Sequence, residues 1–231
     1  DVSFFERAKD LKWQNAKITA FGSTRRADKK VEEDAQVKLL LDAETPAITF
    51  FGKSWELHVT EVLRTTAEEN RKMIYDTTAY LKDQGKEVIY DAEHFFDGYK
   101  DNAEHALGTL EAAKKGGADI VVLCDTNGGT LPHEVAEITA LVREELGIPV
   151  GFHSHDYGGF GVANAIASIR AGAEQVQGTI NGYGERVGNC NLTTVIPNLQ
   201  LKMGFDAVPN LGLLTEVSHY VDELANCAPN V

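Results

Sequence analysis

A barrel of parallel strands, each followed by a helix, is the fold class this sequence predicts, on three observations. Short and nearly continuous apolar runs alternate with helical stretches along the chain, as expected of parallel strands covered on both faces. Glycines stand where those helices should stop. Polar residues with useful chemistry follow nearly every apolar run; in an open doubly wound sheet they would cluster at one switch point, whereas a closed ring brings all its strand ends together.

Taken in order, residues 1–8 read as a helix already under way, with no initiator methionine. Strands are expected at 18–22, 47–51, 87–90, 119–123, 150–153 and 175–178, and helices at 29–41, 66–84, 103–115, 132–146 and 161–171. Gly85, Gly116-Gly117 and Gly147 mark helix ends. A full (β/α)8 barrel takes eight strand-helix units in about 250 residues. Six are visible, so the chain reads as a fragment lacking the first two. Residues 1–195 are assigned to this partial barrel and 196–231 to a C-terminal helical extension or the start of a linker subdomain. The apolar-periodic stretch 211–224, preceded by Pro209 and Asn210, suits a helix packed beside the barrel or a dimerising arm, and a homodimer is expected.

The 231 residues carry a formal net charge of −13. That argues against binding to nucleic acid or to anionic membranes, because there is no basic face to neutralise phosphates. Lys29-Lys30 and Lys114-Lys115 are isolated pairs suited to solvated helix surface. No apolar run reaches the roughly 18 residues needed to span a bilayer, and no signal peptide is visible. Cys124, Cys190 and Cys227 lack metal-ligand or redox spacing, which points to thiols in a reducing cytoplasm.

The chemistry concentrates at two strand ends. His153-Ser154-His155-Asp156 closes the apolar run 148–152. Residues two apart in a strand face the same way, so both imidazoles project together. One unit later the loop 178–189 combines glycine, charge and amide, with Asn189 as a further oxygen donor. Paired histidines can also simply cap loop carbonyls, and Glu185 with Arg186 can be an ordinary surface pair. Read together, the two loops suggest a divalent metal site, whose mixed nitrogen and oxygen donors suit zinc, manganese or iron better than calcium.

The strings 152–164 (FHSHDYGGFGVAN) and 178–189 (GTINGYGERVGN) resemble the signature of the isopropylmalate, homocitrate and citramalate synthases, metal-dependent barrel acyltransferases. Upstream, 20–26 (AFGSTRR), 51–55 (FGKSW), 90–98 (YDAEHFFDG) and 124–130 (CDTNGGT) look more like the citramalate-forming branch. The resemblance implies condensation of acetyl-CoA with pyruvate, giving (R)-citramalate and CoA, on a zinc, manganese or magnesium ion. It implies His153, His155 and Asn189 as metal ligands. The family's ligating aspartate and neighbouring arginine have no counterpart here, so weak metal affinity and little turnover are expected of this segment alone.

Resemblance also makes Glu93 the residue near proton removal from acetyl-CoA and Thr126 the donor to the 2-oxo acid carboxylate. On the residues alone, Glu93 can also be read, with less weight, as a structural carboxylate salt-bridged to an arginine, and Thr126 as part of the turn 125–128. His58 and Arg25 lie on equivalent loops as substrate contacts, and Glu185 and Arg186 brace the loop that delivers Asn189. Three alternatives stay open: the same chemistry on 2-oxoisovalerate or 2-oxoglutarate, a retro-aldol lyase on the same metal barrel, and a non-catalytic remnant or interaction module.

Overall fold

The computed structural model describes residues 2–228. Its six strands are β1 (Thr19–Ser23), β2 (Ala47–Lys53), β3 (Glu87–Glu93), β4 (Ile120–Asp125), β5 (Val150–Ser154) and β6 (Gln175–Gln177). They follow one another in the sheet in chain order. That order has no reversal, and so no switch point of the doubly wound kind; it is the connectivity of a (β/α)8 barrel. The helices are α1 (Val2–Ala8), α2 (Ala35–Asp42), α3 (Glu56–His58), α4 (Ala67–Asp83), α5 (Phe95–Asp101), α6 (Ala103–Gly116), α7 (Pro132–Leu146), α8 (Gly161–Arg170), α9 (Leu192–Pro197) and α10 (Leu214–Leu224). Among the described residues, no helix is long and apolar enough to cross a membrane. The chain divides into two compact units, residues 1–124 with 142–150, and residues 125–141 with 151–231.

In the first unit β1, β2, β3 and β4 pair in parallel, with Thr19 opposite Ala47, Ala47 opposite Glu87 and Ile89 opposite Ile120. Ile48, Phe50, Val88, Tyr90, Val121 and Leu123 are fully buried, and their neighbours Ala47, Ile89, Val122 and Cys124 are buried as well. Strands buried on both faces explain the unbroken apolar runs. The long helices start at side-chain caps: the Thr66 hydroxyl accepts from the Glu69 N–H, and the Asn102 side chain from the His105 N–H. Gly117, at φ 95°, ends α6 in the left-handed conformation that glycine adopts without a Cβ clash.

The expected helix 29–41 resolves into a single 3-10 turn, Val31–Glu33, followed by α2. Asp34 divides them because its side chain accepts from the Gln36 and Val37 N–H groups while its own backbone is extended. Two short helices fall where the pattern announced none. One is α3, which runs on into the π turn Val59–Leu63; the other is α5, whose Phe95 and Phe96 are fully buried.

In the second unit β5 and β6 pair in parallel, with Phe152 opposite Val176 and His153 opposite Gln177. The stretch 211–224 begins as the 3-10 turn Leu211–Leu213 and continues as α10. Of the predicted extension 196–231, residues 229–231 lie outside the described residues, as does Asp1 at the other end.

Candidate functional site

His153 lies in β5 and His155 one residue beyond its end, with the backbone still extended enough to bring the rings together. The His153 and His155 rings meet edge to face with centroids 5.4 Å apart. Beyond the strand, His155 forms an isolated antiparallel bridge with Asn189, which brings the end of the glycine-rich loop to the same place. His153 Nδ1 lies 3.0 Å from Gln177 Oε1. A carboxamide oxygen can only accept, so Nδ1 carries the proton and Nε2 keeps its lone pair for a ligand.

Two buried atoms nearby, His155 Nδ1 and Asn189 Oδ1, have no hydrogen-bond partner. A buried polar atom left unpaired costs about 1–3 kcal/mol, and a cation is a partner that would satisfy an imidazole nitrogen and a carboxamide oxygen alike. Burial pushes the His153 imidazole down to about 4, with the neighbouring His155 adding to the shift. His155 is lowered too, by burial and then by Arg186. Both rings are therefore neutral at pH 7, the form in which imidazole ligates metals. Among the described residues no three His, Cys, Asp or Glu side chains converge, so the third donor of this set is the carboxamide. The residues present thus fit a divalent cation.

Hydrogen bonds stitch the loop carrying Thr126 to this cluster. Asp125, 1% exposed, accepts from the Thr130 N–H and hydroxyl, while its own carbonyl accepts from the His155 N–H. Gly128, at φ 67°, lies where an added Cβ would sit 2.5 Å from the His155 carbonyl oxygen, so only glycine permits this approach. The Arg186 guanidinium donates to the Thr126 carbonyl. Arg186 thus ties two loops together rather than pairing with Glu185, and both side chains are exposed.

The remaining candidates stand in the first unit. Glu93, closing β3, is opposite Lys53 in the strand register and forms an ion pair with it. His58 packs edge to face on His94 at 4.3 Å and against Trp55 at 5.0 Å. Burial holds the His58 pKa below its usual value, helped by His94 and Lys53, and its buried Nδ1 has no partner. Arg25 is engaged within the protein. It is 3% exposed, and its guanidinium donates to Asp76, Glu69 and the carbonyls of Arg26 and Lys29. It braces the loop after β1 against α4.

Sequence reasoning missed Gln177 and the Lys53 partner of Glu93. Polar Gln175 and Gln177 in so short a strand were a signal, but only the register between strands aligns Gln177 with His153.

Parallel strands taken in chain order, with histidines and amides gathered at their C-terminal ends, define an α/β protein of the barrel class. The HMGL-like family profile matches residues 7–221, and the chain belongs to that family. It is 61% identical over 229 residues to the (R)-citramalate synthase of Aquifex aeolicus, covering 98% of this chain and 43% of that protein. It is 50% identical over 240 residues to the (R)-citramalate synthase of Synechocystis, covering 100% of this chain and 44% of that one. The chain thus spans less than half the length of these relatives. Among solved structures, the HMG-CoA lyase of Bacillus subtilis superposes with a TM-score of 0.77 at 16% identity, over 99% of this chain and 77% of the lyase. At that identity the likeness establishes the barrel fold alone.

Proposed function

We propose that the protein is a divalent-metal-dependent acyltransferase that converts acetyl-CoA, pyruvate and water into (R)-citramalate and CoA. The observation that carries this reading is the 61% identity to an (R)-citramalate synthase across nearly all of the chain. His153, His155 and Asn189 would hold the ion, with Gln177 fixing the His153 tautomer. When bound, a divalent ion supplies Lewis acidity to the ketone of the 2-oxo acid. Thr126 donates its hydroxyl to the substrate carboxylate, and His58 contacts substrate as a neutral ring. Glu93 takes the proton from the thioester methyl, with Lys53 fixing the orientation of its carboxylate.

Residues 1–195 constitute the barrel segment and 196–231 an extension. The protein acts in the cytoplasm, in keeping with three free cysteines, and as a homodimer. The substrate test uses the intact protein with pyruvate, 2-oxoisovalerate and 2-oxoglutarate in turn, CoA release being read with a thiol reagent. Release with pyruvate at least tenfold above the others is expected. No release with pyruvate rejects the assignment, and release with another acid transfers it to that substrate.

A further inference from the structure

Asp222 is the one residue buried among those of α10, at 4% exposed. A carboxylate facing inward from an otherwise solvated helix needs donors, and it finds them in the glycine-rich loop. The Tyr183 hydroxyl donates to Asp222 Oδ1 at 2.7 Å and Asn181 Nδ2 to the same oxygen at 2.6 Å. Asn181 Nδ2 also reaches the Ser218 carbonyl at 2.9 Å, and the Ser218 hydroxyl donates to Asn181 Oδ1 at 2.7 Å. Four side-chain hydrogen bonds therefore join α10 to a span of three loop residues. Within that span Asn181 is left-handed at φ 63° and Gly182 at φ 72°. A left-handed non-glycine residue is sparsely populated and persists where its surroundings hold it. Here α10 supplies the hold.

The same three residues locate Asn189. Its N–H donates to the Gly182 carbonyl at 2.9 Å, and its Nδ2 lies 3.4 Å from the Tyr183 carbonyl, which also accepts from the Thr179 hydroxyl at 2.6 Å. The fit is close, since a Cβ on Gly184 would come within 2.0 Å of Asn189 Nδ2. With its backbone and amide nitrogen both referred to 182–183, Asn189 presents Oδ1 buried and unpartnered beside the histidines.

We infer that Asp222 is a positioning residue: through Asn181 and Tyr183, the helix α10 holds the Asn189 carboxamide oxygen in place for the metal. The inference rests on the metal reading of His153, His155 and Asn189. It gives the C-terminal helix a task at the site, and it makes any displacement of α10 a displacement of a metal ligand. Supporting residues behind metal ligands are typically worth about 10–100-fold in affinity.

The test is titration of the intact protein with Mn²⁺, followed by electron paramagnetic resonance and calorimetry, with far-UV circular dichroism as the check on folding. Asp222→Ala is expected to weaken Mn²⁺ binding at least tenfold. Tyr183→Phe, which removes one of the two bonds to Asp222, is expected to weaken it about threefold. Asp222→Asn, whose amide oxygen still accepts both bonds, should bind within about threefold of the unaltered protein, and Glu223→Ala on the exposed face should leave binding unchanged. If Asp222→Ala does not fold, Tyr183→Phe and Asp222→Asn decide. Mn²⁺ binding by folded Asp222→Ala or by Tyr183→Phe equal to that of the unaltered protein overturns the inference, while loss of binding in His153→Ala keeps the metal reading intact. No Mn²⁺ binding by the unaltered protein brings down that reading and this inference together.

Discussion

Arg25 and His105 show how far a residue's surroundings decide its role. Both are polar types that a sequence reader assigns to chemistry, and both are buried. The Arg25 guanidinium neutralises Glu69 and Asp76, whose side chains are only 28% and 27% exposed. Arg25→Met would strand two half-buried carboxylates; the expected loss is about 2–3 kcal/mol, below the 3–5 kcal/mol of a fully buried pair because solvent screens the acids. Urea denaturation would show it, and an unchanged midpoint would count against the bracing role. His105, between Glu56 and Arg71, has neither ring nitrogen hydrogen-bonded. Burial lowers its pKa from 6.5, with Arg71 acting in the same sense and Glu56 against it. Because the unfolded chain then takes up a proton that the folded one refuses, stability is whole above the unfolded value of 6.5 and falls as the pH drops below it. The urea midpoint should decrease between pH 7.5 and 5.5, and less steeply in His105→Leu. Equal slopes in the two proteins would remove His105 from the account.

At the scale of elements, α5 carries the sharpest steric requirement. A Cβ on Gly98 would lie 2.2 Å from the Ser54 carbonyl oxygen and 2.9 Å from the Trp55 Cα, backbone atoms that cannot step aside. Gly98→Ala should therefore destabilise the first unit by about 3 kcal/mol, at the upper end for overpacking, seen as a lowered melting temperature; a melting temperature equal to that of the unaltered protein would mean that α5 can shift outward at little cost. Neither α5 nor α3 is legible as a helix in the sequence. Each spans at most seven residues, too few for an apolar period to declare itself, and packing rather than propensity stabilises helices this short. The strands and long helices were legible because a strand covered on both faces is apolar throughout and a long helix repeats its apolar stripe. The break at Asp34 was not, since capping depends on which backbone N–H groups the carboxylate reaches.

For the molecule as a whole, the exposed face of α10 bears on the proposed dimer. Leu213, at the end of the preceding 3-10 turn, and Val217, Tyr220 and Leu224 of α10, spaced three and four apart, are between 40% and 69% exposed and form one stripe. Sedimentation of the intact protein should give a dimer, and Val217→Asp combined with Leu224→Asp should shift it to monomer; a dimer unaffected by the pair would place the interface elsewhere. By itself the sequence determined the fold class and the meeting of the His153 and His155 rings, because strand periodicity and helix stops are local and residues two apart in an extended stretch face the same way. Tertiary structure alone decided that Gln177 stands opposite His153, that Arg25 is spent on carboxylates, that Glu93 meets Lys53 and that Asp222 reaches the loop of Asn189. Each of these depends on register or packing between segments distant in sequence, and such pairings arise from the simultaneous burial of many side chains, which no single stretch of sequence encodes.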